Sequence, residues 1–394
     1  MQFAFHPKLL DCLPTYNRAQ FGNDLGSGIT VGVLALPLAM AFAIASGCSP
    51  AAGIWTAIVA GFITSACGGS RVQIGGPTGA FIPIIYGIVA MHGFANLMGA
   101  TMLAGIFLLA MGIARMGQLI RFIPVTVVIG FTNGIAVVIF LAQIKDFFGL
   151  QIDSLPAEFF ARIKTLAAYA DTVDIPTLAL ATCCFVFLLS YNRLAQRFAL
   201  LRRAPGPLVV LIVGTLVAFV FDLPVETIGS RFHGIPQELP KFGLPSLSVH
   251  DFGKLISPAI TIALLGAIES LLSARVADSQ IDDRHDPNQE LIAQGMANIA
   301  APLFGGFAAT GAIARTTTNV KTGGRTPIAG IIHALVLLSI VLVAAPLASY
   351  VPLATLSAIV MVVAVNMGEW HEFMELRRYS YNYRIILLAT FFVT

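Results

Sequence analysis

The chain has 394 residues, 57% hydrophobic and 11% charged, against about 25% charged in an ordinary soluble domain. Mean hydropathy is +0.84, and the net charge of +3 is scattered along the whole length. A soluble globule cannot hide this much apolar surface, a disordered chain needs the opposite composition, and so weak a charge excludes a nucleic-acid partner.

Residues 1–23 read as a polar segment with Pro7 and Pro14 and no cleavable signal. Thereafter mostly apolar runs recur, and about 20 such residues cross a bilayer as a helix. Spans are predicted at 24–46, 51–68, 78–91, 96–114, 123–144, 176–191, 206–221, 256–277, 290–303, 311–320, 327–345 and 354–368. A thirteenth begins at Arg384 and is still running at Thr394, so a continuation through at least one more helix is expected. The runs are too long for barrel strands, which leaves an all-α membrane protein. Cys12, Cys48, Cys67, Cys183 and Cys184 have no ligand spacing, and neither a metal nor a cofactor is expected.

With the N-terminus inside, sixteen Lys and Arg fall in inner segments and six in outer ones. That asymmetry predicts a cytoplasmic N-terminus in a plasma membrane, with both long connections, 145–175 and 222–255, outside.

The spans at 78–91 and 311–320 are too short to cross about 30 Å of hydrocarbon at about 1.5 Å per residue. Both open alike: Gly75-Gly76-Pro77-Thr78-Gly79-Ala80-Phe81, and Gly305-Gly306 followed by Thr310-Gly311-Ala312-Ile313. The two Thr-Gly-Ala triplets stand 232 positions apart, and the same offset carries Pro37 in the first span onto Glu269 in the eighth. Seven spans precede residue 222, so the second set starts from the opposite face. The organisation predicted is an inverted repeat, 24–221 and 256–394, joined by the outer loop 222–255. Short, Gly/Pro-interrupted spans at matching places in two halves point to a transporter site.

Two half-helices whose N-termini meet in mid-membrane would offer unpaired N–H groups and partial positive charge to an anion. In this reading Gly79 and Gly311 let the ligand approach the backbone, and Thr78 and Thr310 either cap the first turns or bind it. Two charges stand out inside the spans, Glu269 and Arg315. Arg315 either adds a fixed positive charge to the cradle or neutralises Glu269. Glu269, with Ser273 one turn on, either carries a proton or helps ligate sodium. Thr132 and Asn133 read as packing groups, His333 and Asn366 as either cavity-facing or, more commonly, satisfied interior groups, and His6, His285 and His371 as solvated. Asp278, Asp282, Asp283 and Asp286 lack the pattern of a calcium loop.

Gly266-Ala267-Ile268-Glu269-Ser270-Leu271-Leu272, the stretch from Gly305 to Arg315, and Pro77-Thr78-Gly79 after Gly68-Gly69-Ser70-Arg71 resemble the SulP family of anion transporters. The run from Thr310 to Thr316, with Asn319 after it, most resembles the bacterial branch that carries C4-dicarboxylates with protons. The resemblance implies fourteen helices in two inverted sets of seven, sorted into core and gate domains, the last helix lying beyond this chain. It implies half-helices 3 and 10 meeting mid-membrane around an anion held by Thr78, Gly79, Ala80, Phe81, Thr310, Gly311, Ala312, Ile313, Ala314 and Arg315. Helix 1 at Pro37 and helix 8 at Glu269 and Ser273 close that site. It further implies elevator-like transport, homodimers and a cytoplasmic STAS domain after the chain end.

The function expected is secondary active transport of a small inorganic or organic anion such as sulfate, bicarbonate or a C4-dicarboxylate. The coupling ion expected is a proton, with sodium as the other candidate. An anion channel, an exchanger and a nucleobase permease of the same architecture are the alternatives. The absence of a P-loop argues against an ATP-driven pump, and no Ser/His or His/Asp constellation inside the spans suggests an enzyme.

Overall fold

The computed structural model describes the chain except for residues 1–4, 119–123, 153–154, 198–204, 236, 238–239, 241 and 246–251. Arg121, Arg202, Arg203 and Lys241 of the charge count therefore lie outside the described residues.

Helices account for every predicted span. In chain order they are α1 (Lys8–Cys12), α2 (Arg18–Ala45), α3 (Pro50–Cys67), α4 (Ile82–Ile113), α5 (Val125–Phe148), α6 (Phe159–Ala168), α7 (Ile175–Arg197) and α8 (Gly206–Val220). Then come α9 (Ile228–Phe232), α10 (Phe252–Ile281), α11 (Pro287–Leu303), α12 (Ile313–Lys321), α13 (Pro327–Ala348), α14 (Leu353–Met367), α15 (Trp370–Met374) and α16 (Tyr381–Val393). The predicted spans at 78–91 and 96–114 are the two limbs of α4, separated at Gly93, whose φ of 79° and ψ of 169° are open to glycine alone. Boundaries follow local chemistry: Asn17 and Gln20 form a reciprocal capping box at the start of α2, and Asp286 caps α11 by accepting from the N–H groups of Asn288 and Gln289. The short helices α1, α6, α9 and α15 interrupt segments that the hydropathy pattern leaves as connections, because each is too short or too polar to register there.

The chain divides into two compact units, and each takes elements from both halves of the sequence. One comprises residues 1–120 and 235–346, the other 121–234 and 347–394. In the first, α4 packs along α10 and α11, and α3 lies against α2 and α11. In the second, α5 packs on α14 and α16, and α7 on α14.

Ion pairs fix which connections share a side of each unit. In the second unit Arg231 bonds Asp146 Oδ1 at 2.8 Å, tying the segments 145–175 and 222–255 together. In the first, Asp283 meets Arg71 at 2.9 Å and Lys8 at 3.8 Å, joining three segments that the charge count also places together. His285 bonds Asp278 Oδ2 at 2.6 Å and His6 bonds Asp11 at 2.6 Å. The first of these histidines is mostly enclosed, whereas its sequence context suggested solvation. The hydrogen bond from His6 holds the Asp11 carboxyl below its ordinary value.

Candidate anion-binding site

The two glycine-rich lead-ins meet. Gly75 and Gly76 (β1) pair antiparallel with Thr310 and Gly311 (β2), Gly75 opposite Gly311 and Gly76 opposite Thr310. Ala312 N extends the pairing by donating to Ile74 O at 2.9 Å. Each strand leads into a helix, β1 through the turn Gly79–Phe81 into α4 and β2 directly into α12. Neither helix start has a side-chain cap. Among the described residues the N–H groups of Gly79, Ala80, Ile313 and Ala314 have no bonded acceptor. Two uncapped N-termini thus spring from one hydrogen-bonded pair, which is the arrangement that attracts an anion.

Arg315 supplies charge to this pair. Its side chain is 2% exposed, and Nη2 donates to Pro77 O at 2.5 Å. The guanidinium on α12 therefore reaches the lead-in of the other half-helix. A Cβ on Gly76, whose φ is +142°, would stand 2.7 Å from Nη1, so only glycine admits the arginine there. No carboxylate pairs with Arg315 among the described residues. The alternative in which Glu269 neutralises it is thereby set aside. Glu269 is half-buried on α10 and likewise has no cationic partner among the described residues.

The remaining predicted residues divide. Thr78 is buried and its hydroxyl has no partner. Ala80 and Phe81 are buried, with the Phe81 ring about 3.5 Å from where a Gly266 Cβ would stand. Ala312 is buried, Ile313 half-buried and Ala314 exposed. Pro37 lies buried midway along α2. Two expectations need correction. Thr310 neither caps nor faces outward: its hydroxyl donates to Gly266 O at 3.1 Å and accepts from Ser270 Oγ at 2.6 Å. Ser273 is fully buried and bonds Thr316 Oγ1 at 3.3 Å, so it does not share an open face with Glu269. At Gly311 the space that a Cβ would take is already filled by Gln73, whose Nε2 lies 2.1 Å away.

Three residues that the sequence reading passed over support the site, and a fourth, Asp24, is a buried acid away from it. Ser270 accepts from Gly311 N at 3.0 Å and anchors the start of β2 on α10. Gln73 donates to Glu290 Oε1 at 2.8 Å. Glu290, 0% exposed, also accepts from Gln294 Nε2 at 3.0 Å and Gly69 N at 3.0 Å. Asp24, also 0% exposed, accepts from Tyr16, Arg325 N and Thr326. Burial, with the Asp24 charge, pushes the Tyr16 hydroxyl up to about 12. Glu269 is therefore not the sole acid inside the helices. Glu290 and Asp24 sit at the edges of their apolar runs, where hydropathy assigns them to the ends of spans; the Asn-Gln-Glu stretch opening α11 was the available signal.

Residues 21–390 match the Sulfate permease family. The chain is 45% identical over 380 residues to the putative sulfate transporter YvdB of Bacillus subtilis, covering 96% of this chain and 71% of that one. It is 32% identical over 393 residues to the bicarbonate transporter BicA of Picosynechococcus, covering 96% and 68%. The solved transmembrane domain of a cyanobacterial BicA superposes with a TM-score of 0.88 at 31% identity over 96% of both chains. SLC26A9 shares the fold, with a TM-score of 0.85 at 19% identity over 98% of this chain and 64% of its own.

Proposed function

Since the chain belongs to the sulfate permease family, a family of multi-pass membrane anion transporters and not of enzymes, we propose that it moves a small oxyanion by secondary active transport, bound where β1 and β2 launch α4 and α12. The observation that carries this is Arg315, a buried cation without a carboxylate partner, bonded across to the other half-helix beside uncapped N–H groups. A buried charge of this kind is stable only with a counter-charge or full hydrogen bonding, and a bound anion supplies the counter-charge. Relatives named for sulfate and for bicarbonate make those two the first substrates to test, with a C4-dicarboxylate as the third.

The coupling ion we assign is a proton and its carrier Glu269, a half-buried carboxylate with no cationic partner, adjacent in sequence to the Ser270 that holds Gly311. A sodium site would want Ser273 beside that carboxylate, and Ser273 is engaged elsewhere. An elevator-like cycle fits because both half-helices, the strand pair and Arg315 belong to one contact unit. A cytoplasmic N-terminus, a plasma-membrane location and a homodimer complete the reading.

The test is uptake of labelled sulfate, bicarbonate and fumarate into proteoliposomes, with and without an inward proton gradient. Accumulation of one of them above its equilibrium level, abolished when the gradient is collapsed, is the expected result. Leak that follows the anion gradient alone would make the protein a channel and overturn the proposal.

A further inference from the structure

Behind the strand pair, on the side that faces α3, three buried polar groups from three elements lack partners. Thr64 Oγ1 on α3, Arg315 Nη1 on α12, and both ring nitrogens of His333 on α13 make no hydrogen bond. Of the two roles open to His333, cavity-facing or satisfied interior, the bare ring nitrogens favour the first. Its ring is 0% exposed. The Gly330 carbonyl on its own helix lies beside the ring without reaching hydrogen-bond geometry.

The glycines locate these groups relative to one another. A Cβ on Gly75 would stand 2.5 Å from Thr64 Oγ1, and one on Gly76 would stand 2.7 Å from Arg315 Nη1 and 3.3 Å from Ala57 Cα. A Cβ on Gly61 would stand 3.2 Å from His333 Cε1 and 3.2 Å from Gly75 O. Along the face of α3 the guanidinium therefore lies at Ala57, the imidazole at Gly61 and the hydroxyl at Thr64. Successive positions are about one helical turn, or ~5 Å, apart. That spacing is too wide for direct bonds and suits two buried waters, one between guanidinium and imidazole and one between imidazole and hydroxyl, since a water bridges only groups about 5 Å apart.

We propose that His333 is a positioning residue for the anion site, holding the free Nη1 edge of Arg315 through one buried water and held in turn from Thr64 through a second, so that Nη2 stays on Pro77 and the charge stays at the helix starts. This rests on the anion site described above. His333 touches no substrate; it acts through Arg315.

The two claims are separated by a binding experiment on the purified full-length chain. Sulfate, bicarbonate and fumarate are titrated calorimetrically into the wild type first; if none binds, the anion site itself falls and this inference with it. With the anion that binds, His333→Leu should weaken affinity about tenfold in the wild-type background and less than twofold in an Arg315→Lys background. His333→Gln, which keeps a donor and an acceptor at similar size, should recover most of the loss. An equal loss in both backgrounds means that His333 acts on the fold and not through Arg315, and overturns the proposal. Unchanged affinity overturns it too. If His333→Leu does not fold, Thr64→Val, which removes only a hydroxyl, is read in the same two backgrounds with the same criteria.

Discussion

Gly311→Ala tests whether the glycine at the head of α12 serves a ligand or the protein. The new Cβ would lie 2.1 Å from Gln73 Nε2 and 2.6 Å from its Cδ, so the amide must retreat by about 1.3 Å to reach ordinary contact. Gln73 is a flexible side chain, but its amide is pinned to Glu290 at 2.8 Å. A retreat of that size either breaks the bond or drives the amide into the carboxylate. Hydrogen bonds to charged groups contribute about 1.5–3 kcal/mol, and that is the expected loss of stability, read as a lowered unfolding midpoint of the purified protein. Gln73→Ala removes the severe clash and leaves only a tight 3.2 Å contact with Ser270 Cα, so adding Gly311→Ala to it should cost less than in the wild type, with a coupling of about 1.5–3 kcal/mol between the two substitutions. Additive losses would refute the steric account. Uptake separates the two explanations for the glycine: the steric account expects Gly311→Ala to be no worse in the Gln73→Ala background than Gln73→Ala alone. A ligand that needs the bare backbone predicts loss in both backgrounds.

Replacing Arg315 with Ala should weaken anion binding by roughly 1–3 kcal/mol, about ten- to a hundredfold, with Lys recovering part of it because it lacks the planar fork; calorimetry showing normal affinity would return the residue to a structural role. Glu290→Leu orphans the amides of Gln73 and Gln294 and the N–H of Gly69, at about 1–3 kcal/mol for each donor, so thermal scans should show a large drop and Glu290→Gln a smaller one; an unchanged melting curve would contradict the network. Glu269→Gln, which mimics the protonated carboxyl, should keep anion binding and exchange yet lose uphill uptake, since each uncompensated charge meets about 2.3 kcal/mol per 100 mV. Substrate-dependent proton influx that survives this substitution would remove Glu269 as the carrier.

The fold was legible because bilayer-crossing helices announce themselves by length and apolarity, and because two interrupted spans shared a spacing. The break at Gly93 was legible for the same reason, through the polar residues His92 and Asn96 around it. The site was legible only in its backbone. Thr78, Gly79, Thr310, Gly311 and Arg315 were singled out from helix-start chemistry and buried charge, which are local, whereas Ala312, Ile313 and Ala314 came only from the family resemblance. Ser270 and Gln73 were not, because each bonds a partner 40 or more positions away. Glu290 was passed over because its charge is met by amides and not by a cation, and amides leave no charge pattern to read.

The same offset shows how a symmetric scaffold carries an asymmetric charge. Shifted by 232 positions, Arg315 falls on Pro83, Glu290 on Ile58, Glu269 on Pro37, and Asp24 on Ile256. Every one of these charges therefore exists in one half only, while the Gly-Gly lead-ins and the helix starts exist in both. A single arginine suffices because β1 and β2 are paired: from α12 it reaches Pro77 O on the opposite lead-in, so one cation serves both helix ends. A second arginine at position 83 would stand on α4, one turn into the other half-helix, and like charges brought together in a low-dielectric interior repel strongly. The repeat thus supplies geometry twice and charge once, which suits the single small anion proposed above.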